Sequence, residues 1–207
     1  MKEIKFLNCR IDLSKKVFSP RVETEYWVEK AIREIKGKNL KILDVFAGSG
    51  CVGIAILRNL KDSRVDFADI DENALAEIRI NAEKNEIPAG QYRIVKSDLF
   101  ENLKGKKYDV IFANPPYVAE RRMEEVDKDV LENDPGIALF SGKEGLNHID
   151  KLLKKAKNHL TNGGLIYFEF DPKQKETIKD ILEKEGYDNF QFRKDQFKKY
   201  RWIKIVK

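Results

Sequence analysis

Leu40-Lys41-Ile42-Leu43-Asp44-Val45-Phe46 runs directly into Ala47-Gly48-Ser49-Gly50, and Cys51-Val52-Gly53-Ile54-Ala55-Ile56-Leu57-Arg58-Asn59-Leu60 follows without a break. Leu40–Phe46 is almost continuously apolar, the pattern of a strand covered on both faces. Cys51–Leu60 then reads as a helix, and the glycines between the two as a tight turn. Gly48 and Gly50 let backbone approach a ligand where a Cβ would clash. The helix start beyond them offers N–H groups that have no partner within the helix. Strand, glycine turn and helix together make one half of a β-α-β unit, and the rest of the chain is read outward from it.

Downstream, Arg64–Asp69 reads as a strand and Glu72–Asn85 as a helix with Ala74, Leu75, Ile78 and Ala82 on one face. Tyr92–Lys96 and Tyr108–Ala113 read as strands. Glu144–Leu160 reads as a helix, with Leu146, Ile149, Leu152, Leu153, Ala156 and Leu160 in register. Leu165–Phe170 reads as a buried strand, and Lys173–Glu185 as a helix ended by Gly186. Asn189–Arg193 and Tyr200–Val206 read as a closing hairpin. Upstream, Glu23–Lys36 reads as a helix entered from Pro20. This alternation predicts an α/β fold: a mostly parallel sheet, helices on both faces and right-handed crossovers. Val118–Lys143 lacks clear periodicity and contains Arg121, Arg122 and Asp134-Pro135-Gly136. A connection that long is functional or mobile. At 207 residues a single domain is expected, with an N-terminal segment over 1–36 and the main body over 37–207.

With 42% hydrophobic residues the chain is not of the disordered class. The net charge of +5 is unevenly placed. Arg193, Lys194, Lys198, Lys199, Arg201, Lys204 and Lys207 face only Asp195 in the last stretch, which leaves the remainder near neutral. Lysines there suit the guarding of a sheet edge. A phosphate-reading surface is the other reading, although arginine suits that task better. No apolar run of about 18 residues occurs, so no membrane span is expected. Met1-Lys2-Glu3-Ile4-Lys5-Phe6 has no apolar signal region, and Cys9 and Cys51 suit a reducing compartment, so the expected location is cytoplasmic. Neither cysteine forms a ligand pair with His148 or His159, and no metal is expected.

In an open α/β sheet, ligands bind beyond the carboxyl ends of the strands. Asp44 and the loop Phe46-Ala47-Gly48-Ser49-Gly50 occupy one such end, Asp69-Ile70-Asp71 a second and Ser97-Asp98-Leu99 a third. Asp69 lies 19 residues after Gly50, where a carboxylate can grip a ribose diol. Asp98 can accept from an adenine amino group while Leu99 packs on the ring. Gly48-x-Gly50-x-x-Gly53 with a downstream acid also fits a dinucleotide fingerprint. Asp44 separates the two readings, because it attracts an ammonium group and repels a pyrophosphate. An adenosine joined to a positively charged amino acid fits better, namely S-adenosylmethionine.

Tyr108–Ala113 runs into Asn114-Pro115-Pro116-Tyr117. Two prolines stiffen the backbone and remove donors. The Asn114 side-chain oxygen and the Pro115 carbonyl are then two acceptors for the two hydrogens of a planar –NH₂ group, with Tyr117 as a flat wall. Holding such a group against a methyl donor is catalysis by positioning and electrostatics. Asn114, Pro115, Pro116 and Tyr117 are the candidate catalytic residues, and Asn114 also lies within reach of the cofactor.

These motifs resemble class I S-adenosylmethionine-dependent methyltransferases that modify planar amino groups. More narrowly, they resemble the HemK/PrmC family of release-factor glutamine methyltransferases, over nearly everything after residue 17. Phe18-Ser19-Pro20-Arg21-Val22-Glu23-Thr24-Glu25 resembles that family's Pro-Arg-x-Glu-Thr-Glu segment. Asp44 to Gly50 is similar to its methionine-binding loop, and Asp69, Asp98-Leu99 and Asn114 to Tyr117 fall at its ribose, adenine and substrate positions. Asp134-Pro135, Ala138-Leu139 and Gly145-Leu146 resemble its Glu-Pro, Ala-Leu and Asp-Gly-Leu stretch. Glu169 to Gln174 resembles its Glu-x-Gly-x-x-Gln, with Asp171 in place of the glycine.

The resemblance implies a Rossmann-like three-layer sandwich whose seven-stranded sheet ends in an antiparallel hairpin. It also implies S-adenosylmethionine as cofactor and segment 1–36 capping its site. Arg21, Glu23 and Thr24 would then join Asn114 to Tyr117 as substrate contacts. The implied acceptor is the glutamine amide of a Gly-Gly-Gln motif in a class 1 peptide release factor. Only 19 residues precede Pro20, too few for the helical domain that many bacterial members carry there. The alternative is an amino methyltransferase acting on adenine or guanine of ribosomal RNA or DNA. Phe46 to Gly50 also resembles ribosomal RNA guanine methyltransferases, although those usually carry Asp-Pro-Pro. A base amino group is planar too, and the basic C-terminus suits phosphates.

Overall fold

The computed structural model describes residues 3–207, so the first two residues of the expected 1–36 segment lie outside the described residues. The chain opens with a hairpin of β1 (Glu3–Phe6) and β2 (Cys9–Asp12), followed by α1 (Val22–Glu34). Next come β3 (Lys41–Val45), α2 (Cys51–Asn59), β4 (Arg64–Asp69), α3 (Glu72–Lys84), β5 (Tyr92–Lys96) and β6 (Tyr108–Ala113). A short α4 (Lys128–Asn133) interrupts the long connection, and α5 (Asn147–Ala156), β7 (Leu160–Glu169), α6 (Lys175–Lys184), β8 (Phe190–Lys194) and β9 (Tyr200–Val206) complete the chain.

Seven strands form one sheet in the order β5-β4-β3-β6-β7-β9-β8. The first five of these are parallel, whereas β9 runs antiparallel to both β7 and β8. Alternation along the buried strands divides the core between the two faces. Ile42, Val110 and Phe112 pack with Trp27 and Ala31 of α1, Ile54 of α2 and Ile78 of α3. Leu43, Ile111 and Phe168 face Ile149 and Leu152 of α5 and Ile178 of α6. This is the expected three-layer α/β arrangement with a closing antiparallel hairpin.

The chain winds outward from β3 through β4 to β5, then crosses back to place β6 on the other side of β3. The carboxyl ends of β3 and β6 therefore diverge at a topological switch point, where an open α/β sheet offers a crevice.

Two expectations need correction. The helix expected from Glu144 begins at Asn147, because Gly145 sits at φ +75°, outside helical space. The last sheet strand before the hairpin begins at Leu160 rather than Leu165, with its register against β6 shifting between Tyr108 and Val110. The β1–β2 hairpin was not anticipated. Its turn puts Leu7 at φ +49°, a conformation for which leucine gives no sequence signal.

The hairpin also supports the crevice. Asp12 N–H donates to Asn81 Oδ1 at 2.6 Å, and Asn81 Nδ2 donates to the carbonyls of Asp12 and Ser49, each at 3.0 Å. One buried amide on α3 thus ties the hairpin to the glycine turn after β3. Lys84 adds a 2.8 Å ion pair with Asp12.

Candidate active site

A cavity of about 320 Å³ opens at the switch point. It is lined by the ends of β3, β4 and β6, by Val17, Phe18, Pro20 and Arg21, and by residues of the long connection before α5. Of the sequence-predicted residues, Arg21, Thr24, Asp44, Phe46, Ala47, Gly48, Ser49, Asp69, Asp98, Leu99 and Asn114 to Tyr117 all line it. Gly50 does not; it sits behind the wall at φ +76°, in the left-handed conformation that lets the turn enter α2. Glu23 does not line the cavity either.

The cofactor side is organised by backbone. Asp44 is 2% exposed, and its Oδ2 accepts from Gly53 N–H at 2.9 Å. Burial pushes its carboxyl up to about 8, a shift that the Gly53 hydrogen bond opposes and the charge of Asp69 reinforces. Asp69 accepts from Gly48 N–H at 2.8 Å through one oxygen and from Asp71 N–H at 3.0 Å through the other. Burial raises its carboxyl as well, against those two bonds. Each oxygen of Asp69 keeps a lone pair for a further donor. Phe46 at φ +60° and Leu99 at φ +51° hold left-handed backbone without being glycine, and both line the cavity. Such conformations cost of order 1–3 kcal/mol and gather at ligand sites.

The β6 side is organised by side chains distant in sequence. Glu169, 1% exposed at the end of β7, accepts from Thr24 Oγ1, Trp27 Nε1 and Tyr117 OH, each at 2.7 Å. Burial pushes the Glu169 carboxyl up, and these donors together with the Arg201 charge pull it back. Hydrogen bonds to a charged group contribute about 1.5–3 kcal/mol each. Three of them offset the several kcal/mol that burying a carboxylate costs. Tyr117 is thereby fixed as a wall whose hydroxyl is committed to Glu169, and burial beside that carboxylate drives its phenol well above the usual value.

Gln174 secures the same turn from behind. Its Nε2 donates to Tyr117 O at 2.9 Å, Gly145 O at 3.1 Å and Glu144 O at 3.2 Å. A Cβ at position 145 would lie 2.2 Å from Tyr117 O, so only glycine permits this approach. Asp171 accepts from Lys173 N–H and from Arg122 Nη1 and forms a capping box with Gln174.

Arg21 is paired with the buried Asp134, which also accepts from Ser19 N–H at 3.0 Å. That pair ties the segment before α1 to the long connection, which brings Val126, Val130 and Ile137 into the cavity wall. His148 and Lys151 also line the cavity, and sequence reasoning missed them. His148 lies edge-on to Phe46 with ring centres 5.5 Å apart, and its Nδ1 lies 2.7 Å from Ser141 Oγ. Burial, with Lys151 beside it, lowers its imidazole below the usual value. Glu169 was visible only as part of the Glu-x-x-x-x-Gln pattern.

A family model described as Methyltransferase small domain matches residues 29–135. A methyltransferase structure from Pyrococcus furiosus superposes with a TM-score of 0.71 at 20% identity, covering 97% of this chain and 89% of that one. A Thermus thermophilus 16S rRNA N2 G1207 methyltransferase, solved with AdoMet and guanosine, gives 0.70 at 18% identity, covering 100% of this chain and 50% of that one. The fold and the matching model make this chain a class I methyltransferase. It is also 32% identical over 97% of its length to a release factor glutamine methyltransferase of Lactococcus lactis, covering 73% of that relative. A release factor glutamine methyltransferase of Flavobacterium psychrophilum is 35% identical over 98% of this chain, which covers 72% of it. The chain belongs to the release factor glutamine methyltransferase family. Among the described residues no helix is long and apolar enough to cross a membrane.

Proposed function

We propose that this enzyme transfers a methyl group from S-adenosylmethionine to the side-chain amide nitrogen of a glutamine in a cytoplasmic class 1 peptide release factor, within its Gly-Gly-Gln motif. The observation that carries this reading is the opening of Asn114-Pro115-Pro116-Tyr117 into the same cavity as Asp44, Asp69 and Asp98. The donor set fits the cofactor. Asp44 would face its ammonium group and Asp69 its ribose hydroxyls. Asp98 would take the adenine amino group with Leu99 on the ring, while Phe46 to Ser49 follow the methionine part. When bound, S-adenosylmethionine supplies an electrophilic methyl group on a positively charged sulfur.

Asn114 Oδ1 and the Pro115 carbonyl accept the two amide hydrogens of the substrate glutamine, and Pro116 keeps the turn stiff. Tyr117 holds the amide in plane, which aims its nitrogen and leaves proton loss until afterwards. Arg21 and Thr24 border the substrate side, and residues up to 36 with α1 cap the cofactor. The experiment offers labelled cofactor with release factor, with its Gln→Glu variant, and with ribosomal RNA. Label on the intact factor alone supports the reading. Label on RNA alone moves the acceptor to a nucleobase amino group.

A further inference from the structure

The amide of Asn114 must present its oxygen, not its nitrogen, to a substrate –NH₂ group, and the surrounding contacts determine which end faces the cavity. Trp27 Nε1 is a donor only, so the Glu169 Oε2 that it meets at 2.7 Å must accept. Thr24 Oγ1 meets the same oxygen at 2.7 Å, and Tyr117 OH meets the other at 2.7 Å. An ionised carboxylate only accepts, so the single hydroxyl proton of Thr24 is committed to Glu169. What Thr24 offers to its other neighbour is a lone pair. That neighbour is Asn114, whose Nδ2 lies 3.5 Å from Thr24 Oγ1.

We propose that Thr24 is a positioning residue: with Glu169 fixing the direction of its hydroxyl, it selects the amide orientation that turns Asn114 Oδ1 toward the reacting nitrogen. Without that hydroxyl the two ends of the amide are nearly equivalent. In the wrong one, two sets of N–H donors face each other and the substrate nitrogen is not held. Thr24 thus acts through Asn114 rather than on the substrate. At 3.5 Å the contact is longer than an ordinary N–H···O bond, so the bias it places on the amide is small.

The inference rests on the glutamine-methyltransferase reading, and its test separates the two. In Thr24→Val, kcat for release factor should fall about 10-fold. KM for the factor and affinity for S-adenosylmethionine should change far less than kcat, because the hydroxyl acts through Asn114 on the reacting geometry. Thr24→Ser restores the hydroxyl and should recover the lost turnover. In an Asn114→Ala background, Thr24→Val should cost nothing further, because residues acting through one group are not additive. A fully additive double variant, unchanged turnover in Thr24→Val, or a loss confined to KM overturns the inference.

A second readout needs no substrate. The Asn114 side-chain amide resonances, recognised by their loss in Asn114→Ala, should hold their position in Thr24→Ser and shift or broaden in Thr24→Val. An unmoved pair in Thr24→Val overturns the inference. Should the wild type label no release-factor glutamine, the functional reading falls, and these resonances still decide the role of Thr24.

Discussion

The two halves of the cavity are built by different means. On the β3–β4 side, acids are held by backbone N–H groups at the strand ends: Asp44 by Gly53, and Asp69 by Gly48 of the turn after β3 and by Asp71. On the β6–β7 side, side chains hold one another across long separations: Glu169 gathers Thr24, Trp27 and Tyr117, and Gln174 holds the carbonyls of Tyr117 and Gly145. In the proposed reading the first arrangement binds; its geometry lies in the turns at the ends of β3 and β4. The second aligns; its accuracy depends on β7, α1 and the Asn114 turn being brought together by the whole fold. Removing a group on one side should therefore affect binding, and on the other turnover.

The largest expected effect tests that division at Asn114. Asn114→Ala would remove the acceptor that the proposed reading aims at the reacting –NH₂ group, and loss of one preorganised group of that kind costs roughly 100- to 1,000-fold in turnover. Calorimetry should show cofactor affinity nearly unchanged, since Asp44, Asp69 and the glycine turn remain. Near-normal turnover would show that the turn is structural and that the aligning half lies elsewhere.

Asp69 gives the converse. Asp69→Ala should weaken S-adenosylmethionine binding roughly 10- to 150-fold, the value of charge-assisted bonds to the ribose. The far-ultraviolet spectrum should be unaltered. Because this carboxylate also holds Gly48 N–H at 2.8 Å, amide exchange at Gly48 should quicken in the same variant. Unchanged affinity in a folded protein would place the ribose acid elsewhere and break the comparison on its binding side.

How much of each half was legible in the sequence follows from the same difference. Asp44, the Gly48–Gly50 turn, Asp69 and Asp98-Leu99 stand within or beside single strand ends, so a strand followed by a glycine or acid was enough to place them. Asn114 to Tyr117 were legible for the same reason. Glu169 was not, except as a motif letter, because its three donors come from residues 24, 27 and 117 and no local spacing links them. His148 has no local sequence signal for the cavity; only the packing of α5 against Phe46 brings it there. The long connection was marked by its lack of periodicity, yet its apolar wall at Val126, Val130 and Ile137 has no pattern to read.

Asp44 allows a sharper test of the binding half. Its carboxyl is pushed up to about 8 by burial, so below that pH it is largely protonated in the free protein. An ammonium group beside it favours the carboxylate, so binding should expel the proton. Cofactor affinity should then rise with pH, by at most about tenfold per unit, and level off near the free value. Titrations near neutrality in buffers of differing ionisation heat should read close to one proton released, and Asp44→Asn should abolish that release. Binding without proton release in the wild type would mean that the ammonium group does not meet Asp44.

The smallest effect is expected at the basic C-terminal hairpin. Part of its charge is already paired: Lys204 and Arg193 with Glu34 at 3.0 and 3.4 Å, and Arg201 with Asp195 at 3.4 Å. Among the described residues Lys194, Lys198 and Lys199 have no carboxylate partner. They sit on or next to β8, an edge of the sheet, where lysine discourages pairing with another strand. The turn they flank also lies at the carboxyl end of β7, since Trp202 pairs with Glu169, and so shares an edge with the cavity. Changing all three lysines to glutamine should alter release-factor labelling by less than about twofold, as unpaired surface charges do. If instead they met the phosphates of a nucleic acid, the slope of log affinity against log salt should flatten by up to about 0.9 per lost contact on a duplex. A flattened slope with RNA, together with lost turnover, would carry the aligning half of the cavity over to a nucleobase amino group. An unchanged slope leaves the lysines as guards of the β8 edge.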